Sequence, residues 1–150
     1  MATTDRFPDA LPHVLHLEGG WYPGTLAGDP NPTMQGVTQQ TYDAWRTDHD
    51  LPLRTVRIID PGELVTIYRT RYWGPIGAGQ LAWPLCLYVF DSAVNHGLRR
   101  ARRLRDEAAG DPARFLSLRE FFYRRLGAQP ARAKFLKGWL KRIAYLRGVT

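Results

Sequence analysis

The carboxylate of Glu18 falls where the sequence predicts the end of a helix. Apolar residues recur at steps of three and four from Phe7 to Leu15, as in a helix that faces a core, and Glu18 continues this stripe. Gly19-Gly20 then supplies a residue without Cβ, which a left-handed helix C-cap prefers. Burial and the negative end of the helix dipole would both favour the protonated form of this carboxyl group. Glu18 is therefore a candidate general acid.

The same spacing also fits an ordinary surface carboxylate. Most glutamates at helix ends have no catalytic role, and the side chain of Glu18 could instead extend into water past Trp21 and Tyr22. Spacing alone leaves both interpretations open.

Length and composition predict a globular chain of one domain. A chain of 150 residues can bury roughly two-thirds of the surface that its unfolded form exposes. A hydrophobic content of 44% with five Trp excludes a disordered or collagen-like protein. Cys86 is the only cysteine, so an internal disulfide and a multi-cysteine zinc site are excluded, and we expect no metal or cofactor.

The sequence offers no candidate membrane span and no secretory signal. No run approaches the roughly 18 apolar residues that cross a bilayer, and the first 20 positions lack an apolar centre. We therefore expect a protein stored in the cytosol.

Positive charge is concentrated in the C-terminal third. Of 21 Lys and Arg residues, 15 lie between Arg99 and Arg147, against four acidic residues in that stretch, and the net charge is +7. A patch of this kind attracts any polyanion, so it predicts a negatively charged partner without naming it.

Helical periodicity and cap signals predict an all-α fold of six or seven helices. Thr38 can cap a helix that holds Tyr42, and Asp60-Pro61 followed by Glu63 is a strong helix start. Further helices are predicted in a buried segment at 81–95, an Arg-rich segment at 98–108, a segment at 111–126 and one that opens at Pro130. Residues 21–35 hold three prolines and two glycines, which predicts a long loop after the first helix. No part of the sequence shows a convincing hairpin signal, so we expect none.

Two polar residues lie on one face of the predicted buried helix. Asp91 and Asn95 are four positions apart, and polar groups on a core helix need partners or a solvent-filled cleft. They either satisfy the ends of neighbouring helices or reach a substrate.

Six short features follow one another along the chain. They are E-G-G-W at 18–21, a loop with Asp and Pro, G-V-T at 36–38, I-Y-R-T-R-Y-W at 67–73, F-D-S-A-V-N-H-G at 90–97 and K-F-L-K-G-W-L-K-R-I at 134–143. In this order they resemble glycoside hydrolase family 108, a family of phage and bacterial lysozyme-like muramidases that includes endolysins. The resemblance implies a lysozyme-like helical domain over residues 1–150. It also implies that the basic helices at about 98–150 form the family's predicted peptidoglycan-binding region.

The resemblance further implies hydrolysis of the β-1,4 bond between N-acetylmuramic acid and N-acetylglucosamine. Glu18 matches the family's proton donor, and Thr38 is expected near it. Asp29, with Thr38 orienting a water, is the candidate for the opposite face of the sugar. Relatives usually read D-P-G-G where this loop reads A-G-D-P-N-P-T-M-Q-G, and the segment between Gly97 and Arg114 is shorter than in relatives.

Several residues are candidates for substrate binding. Trp21, Tyr22 and Tyr72 could stack on sugar faces, and Asn95 could hydrogen-bond an acetamido group from the cleft floor. Asp91, on the same helix face, is a further candidate for substrate binding. The expected partners are bacterial peptidoglycan and, through the basic helices, anionic wall or outer-membrane polymers. We expect a monomer without a specific nucleic-acid partner, stored in the host cytoplasm until release to the wall or periplasm.

Three other functions remain open. A lytic transglycosylase would cut the same bond with one acid/base glutamate and no opposing carboxylate. A nucleic-acid binder could track phosphates with the arginines between Arg99 and Arg105. A wall-binding or membrane-active protein with a dead site could act through its last amphipathic helix.

Overall fold

The computed structural model of the protein describes residues 4–24 and 31–150 and is built mainly from helices. The α-helical segments of these residues are α1 (Phe7–Glu18), α2 (Gln39–Asp48), α3 (Pro61–Tyr68), α4 (Gly74–Ile76), α5 (Leu85–His96), α6 (Leu98–Ala108), α7 (Pro112–Gly127) and α8 (Leu136–Arg147). Seven of those described segments have eight or more residues, and α4 is a single turn. The prediction of a mostly helical, lysozyme-like fold is confirmed.

The chain divides into two compact units. The first unit is Leu11–Arg71, and the second unit is Tyr72–Thr150 together with Met1–Ala10. Buried apolar side chains of the first unit include Val14, Val37, Tyr42, Val56, Leu64 and Ile67. Those of the second unit include Phe7, Trp73, Ile76, Leu87, Phe90, Phe115, Leu116 and Ile143.

A small antiparallel sheet lies in the first unit, within and just after the segment predicted to be a loop. Its strands are β1 (Trp21–Tyr22), β2 (Thr33–Met34) and β3 (Val37–Thr38), in the order β1-β2-β3. The prediction that no hairpin exists here is wrong, because β2 and β3 are joined by Gln35-Gly36 with φ values of 48° and 82°. Two positive φ values are typical of a type I′ turn, which usually carries Asn or Asp where this chain has Gln. Strands of two residues also show no alternation that a sequence could display.

Local signals place most helix ends as predicted. Gly19, with φ 79°, follows α1, and its N–H donates to the Leu15 carbonyl oxygen at 3.1 Å. Asp60 and Glu63 form a capping box at the start of α3, which continues into a π-helical turn at Arg69–Trp73.

The start of the last helix differs from the prediction. Pro130 opens a turn in which the N–H of Arg132 donates to the Gln129 carbonyl oxygen, and α8 begins only at Leu136 after a 3-10 turn at Ala133–Phe135. Gln129 is not a preferred N-cap residue, which explains why the proline does not start the helix directly.

The second unit is built around α5. Its residues from Leu85 to Ala93 are all buried, so the helix is surrounded by protein over two turns. The rings of Phe7 and Trp73 pack on Phe90 with centroid distances of 5.7 Å and 5.3 Å. Cys86 is buried in the same helix, as expected for a small apolar side chain.

Membrane-spanning helices and clusters of metal ligands are both absent from the described residues. None of the helices formed by residues 4–24 and 31–150 combines the length and apolarity that crossing a bilayer requires. Across the same ranges, His, Cys, Asp and Glu side chains form no group of three or more that could hold a metal ion.

Candidate active site

Glu18 is the last residue of α1, and its half-buried side chain lies against the β2–β3 turn. A Cβ atom placed on Gly36 would lie 3.0 Å from Cγ of Glu18 and 3.1 Å from its Cβ. The same atom would overlap the hydroxyl oxygen of Tyr68, which donates a hydrogen bond to the Gln35 carbonyl oxygen at 2.6 Å. Only glycine fits there, because the backbone also has a positive φ. The turn therefore restricts where the Glu18 side chain can lie.

Backbone pairing brings this turn next to Glu18. Trp21 is opposite Met34 in the sheet, and the N–H of Gln35 donates to the Gly20 carbonyl oxygen at 3.1 Å. The chain that leaves α1 is thus tied to the turn by a main-chain hydrogen bond at residue 20 and by the strand pairing that follows it.

Thr38 ends β3 two residues after Gly36 and is the N-cap of α2, as predicted. Its Oγ1 accepts a hydrogen bond from the Thr41 N–H at 3.1 Å and donates to Thr41 Oγ1 at 3.0 Å. A hydroxyl oxygen has two acceptor positions, so one remains for a water or a substrate group. The catalytic role of Thr38 stays a prediction.

A cluster around Glu63 holds α2 and α3, which carry Thr38 and Tyr68 at their ends. The Tyr42 hydroxyl donates to Glu63 Oε1 at 2.8 Å, and Nη1 of Arg46 lies 2.9 Å from Oε2. Burial alone would raise the pKa of Glu63, but hydrogen bonds from Tyr42, the Asp60 N–H and two arginines outweigh it and lower the pKa. The carboxylate therefore stays charged and joins the two helices.

The remaining candidates of the first unit are placed differently. Trp21 is half-buried, with the Arg57 guanidinium 5.3 Å from its ring centroid, whereas Tyr22 is 41% exposed. Adjacent strand residues point to opposite faces of a sheet, so only one of the two can contact a given ligand face. Asp29 lies outside the described residues, and its role stays a prediction.

Tyr72, Asp91 and Asn95 belong to the second unit. Tyr72 is half-buried in the π-helical turn, and Asn95 is exposed at the end of α5. Their assignment as substrate contacts stays a prediction.

Asp91 is fully buried in an ion-pair cluster. Arg142 contacts both carboxylate oxygens, Nε to Oδ2 at 2.9 Å and Nη2 to Oδ1 at 2.6 Å, and Arg119 Nη1 lies 2.7 Å from Oδ2. Burial alone would raise the pKa of Asp91, but the two guanidinium groups outweigh it and lower the pKa. These contacts favour the structural alternative for Asp91, in which it satisfies neighbouring helices.

Several residues of these clusters escape sequence reasoning. Tyr68 lies in the motif I-Y-R-T-R-Y-W at 67–73, but no neighbouring residue indicates that its hydroxyl bonds the carbonyl oxygen of Gln35. Arg119 and Tyr123 lie in an ordinary amphipathic helix, and their partners are 23 to 28 positions away. His96 could have been predicted as a member of this cluster, because it directly follows Asn95 in the motif at 90–97.

Comparison with known proteins agrees with the fold and identifies the family. The structure of Brucella abortus SagA matches with a TM-score of 0.74 and 22% identity over 94% of this chain and 91% of that chain, which shows a common fold. No curated protein sequence matches the chain. The glycosyl hydrolase 108 family matches residues 11–97, a range that contains Glu18, Gly36, Thr38 and Tyr68. The C-terminal peptidoglycan-binding region stays a prediction, since residues 98–150 follow the matched range. With more than half of its length in that match, the chain belongs to glycosyl hydrolase family 108.

Proposed function

We propose that the protein is an N-acetylmuramidase, a lysozyme-type enzyme that hydrolyses the β-1,4 bond between N-acetylmuramic acid and N-acetylglucosamine. Family membership makes it a glycoside hydrolase and supports peptidoglycan as the substrate. The observation that carries the proposal is the position of Glu18, a half-buried carboxyl group that ends α1 and is packed by Gly36 within the matched range.

Glu18 is the proposed general acid. Glycoside hydrolysis needs a proton on the leaving oxygen as an oxocarbenium-like sugar forms. The turn at Gly36 limits the positions open to the Glu18 side chain, and a restricted donor loses little freedom on reaching the transition state. This restriction of the side-chain stem supports Glu18 as the proton donor.

Asp29, with Thr38 orienting a water, is the proposed group for the other face of the sugar. A carboxyl separation of roughly 6.5–9.5 Å between Glu18 and Asp29 would favour inversion, and about 5–5.5 Å would favour retention. Inversion and retention release opposite anomers as the first product, so identifying that anomer in solution indicates which separation applies.

The wider function follows from the same proposal. Tyr22, Trp21 and Tyr72 are proposed to stack on sugar faces. The basic helices from α6 onward would hold the enzyme on anionic wall or outer-membrane polymers, which raises its local concentration. We further propose an endolysin role, with storage as a monomer in the host cytoplasm and release to the wall.

The test compares Glu18→Gln with wild type on purified peptidoglycan, following turbidity and the mass of released products. Glu107→Gln, the same change on an exposed residue of α6, is the matched control. We expect reducing muramic ends from wild type and from the control, and a loss of at least about a hundredfold in Glu18→Gln, within the range for general acid catalysis.

Other products would contradict parts of the proposal. Anhydro-muramic products that persist in Asp29→Ala would identify a lytic transglycosylase. Equal hydrolysis by wild type and Glu18→Gln would refute the role of Glu18. Wall binding or killing without any cleavage by wild type would identify a non-catalytic protein.

A further inference from the structure

A cavity of about 500 Å³ opens on the second unit, among α5, α6, α7 and α8. Its lining includes two arginines, two polar residues and two stacked aromatic rings: Arg100, Arg132, Asn95, His96, Tyr123 and Trp139. The rings of Tyr123 and Trp139 are 5.2 Å apart and inclined by 17°, which makes a flat apolar wall. The cavity therefore offers both an apolar surface and polar groups to a ligand.

Buried Arg119 sets the orientation of the two polar residues. Its Nη2 donates to Asn95 Oδ1 at 3.4 Å, and the Tyr123 hydroxyl donates to the same oxygen. The oxygen of the Asn95 amide is thus occupied, and its NH₂ group is left to face a ligand. The Tyr123 oxygen also accepts a hydrogen bond from Arg119 Nη2 at 3.0 Å, so this hydroxyl is occupied as well.

Arg119 also determines which nitrogen of His96 carries the proton. Arg119 Nε donates to His96 Nε2 at 3.0 Å, so Nε2 is an acceptor and the hydrogen of the neutral ring is on Nδ1. Burial and then the charge of Arg119 lower the pKa of His96 to about 3, which keeps the ring neutral. Within residues 4–24 and 31–150, Nδ1 makes no hydrogen bond, so it is a second donor for a ligand.

The two arginines of the cavity add uncompensated positive charge. Arg100 lies over the Phe122 ring at 4.1 Å, and neither Arg100 nor Arg132 forms an ion pair with any described residue. The lining contains no carboxylate among the described residues, and Asp91, which contacts Arg119, is already paired with Arg119 and Arg142. The polar groups described above therefore act as donors, and the cavity complements a group that accepts hydrogen bonds and carries negative charge.

We propose that this cavity binds a carboxylate on a short peptide, namely the stem peptide of peptidoglycan. Arginine forks and neutral N–H donors suit a carboxylate, and the Tyr123–Trp139 wall suits the apolar face of the peptide chain. The choice of the stem peptide as the source of the carboxylate rests on the proposed function. The cavity would thus recognise the peptide part of a wall whose glycan part Glu18 cleaves.

The test measures binding of a soluble acidic stem tetrapeptide and of the same peptide with its carboxylates amidated. Binding is followed by NMR through the indole N–H of Trp139, assigned with Trp139→Phe. We expect the amidated peptide to bind at least about tenfold more weakly, as for loss of a charge-assisted hydrogen bond. Arg132→Gln should weaken binding of the acidic peptide by a similar factor. Arg114→Gln, a change of the same charge at an exposed position of α7 outside this lining, should leave it unchanged.

Each alternative result overturns the proposal. Equal binding of both peptides would remove the carboxylate from recognition, and equal loss in Arg132→Gln and Arg114→Gln would reveal unspecific charge attraction. Tighter binding of a phosphorylated glycolipid than of the acidic peptide would identify a different ligand. Because the soluble peptide has no glycosidic bond, its binding does not depend on Glu18, and hydrolysis by wild type tests the proposed function separately.

Discussion

Replacing Gly36 with alanine tests whether the β2–β3 turn positions Glu18. The added methyl group would overlap the Tyr68 hydroxyl and lie 3.0 Å from Glu18 Cγ, and the backbone φ of 82° disfavours any side chain. The conformation alone costs about 1–2 kcal/mol in an alanine. Overpacking adds about 1–3 kcal/mol, so we expect Gly36→Ala to lose about 2–5 kcal/mol of unfolding free energy.

Gly110→Ala is the matched control for this change. Gly110 has a φ of 88°, but a Cβ there would have no atom within 4 Å outside its own neighbours. It should therefore lose only the conformational part, about 1–2 kcal/mol. The difference between the two variants, about 1–3 kcal/mol, corresponds to about 2–12 °C in Tm for a chain of this size.

Thermal unfolding by circular dichroism and peptidoglycan hydrolysis below both midpoints are the two measurements. Activity of Gly36→Ala should fall on the order of a hundredfold, since a displacement of about 1 Å in a catalytic group can cost that much. Gly110→Ala should keep its activity. Tyr68→Phe removes the oxygen that the added methyl group would overlap. Tyr68→Phe should therefore destabilise the Gly36→Ala variant less than it destabilises wild type. Equal stability and equal activity of Gly36→Ala and Gly110→Ala would refute the reasoning.

Two further predictions concern the second unit. Asp91→Asn should lower the unfolding free energy by about 3–5 kcal/mol in urea titrations, because it leaves fully buried Arg119 without its counter-charge. A loss below about 1 kcal/mol would show that the ion pairs are not stabilising. His96 has a folded pKa of about 3, below its ordinary 6.5, so the unfolded chain takes up the proton first as the pH falls. The contribution of neutral His96 to the free energy of unfolding is complete above pH 6.5. It declines as the pH falls towards about 3, with a slope of at most about 1.4 kcal/mol per pH unit. Urea titrations at pH 7 and pH 5 should show a smaller decrease in His96→Gln than in wild type, and equal decreases would contradict the shift.

Local signals in the sequence determined the helix ends that matter for the site. The stripe from Phe7 onward with Gly19 placed Glu18 at the end of α1, and Asp60 with Glu63 predicted the capping box of α3. These features depend on hydrogen bonds between residues at most four positions apart, so the sequence displays both partners together. The order of the six features also indicated the family, because each feature is a run of neighbouring residues that the sequence displays directly.

The tertiary structure alone decided which side chains meet. Tyr68 reaches residue 35 across 33 positions, and Arg142 reaches Asp91 across 51 positions. The spacing of Asp91 and Asn95 predicted that they share a helix face. It did not predict that Asp91 would be fully buried in an ion pair while Asn95 would be exposed and line a cavity. That separation depends on where α7 and α8 pack on α5. Packing of this kind follows from contacts distant in sequence, and no local pattern of residue types records it.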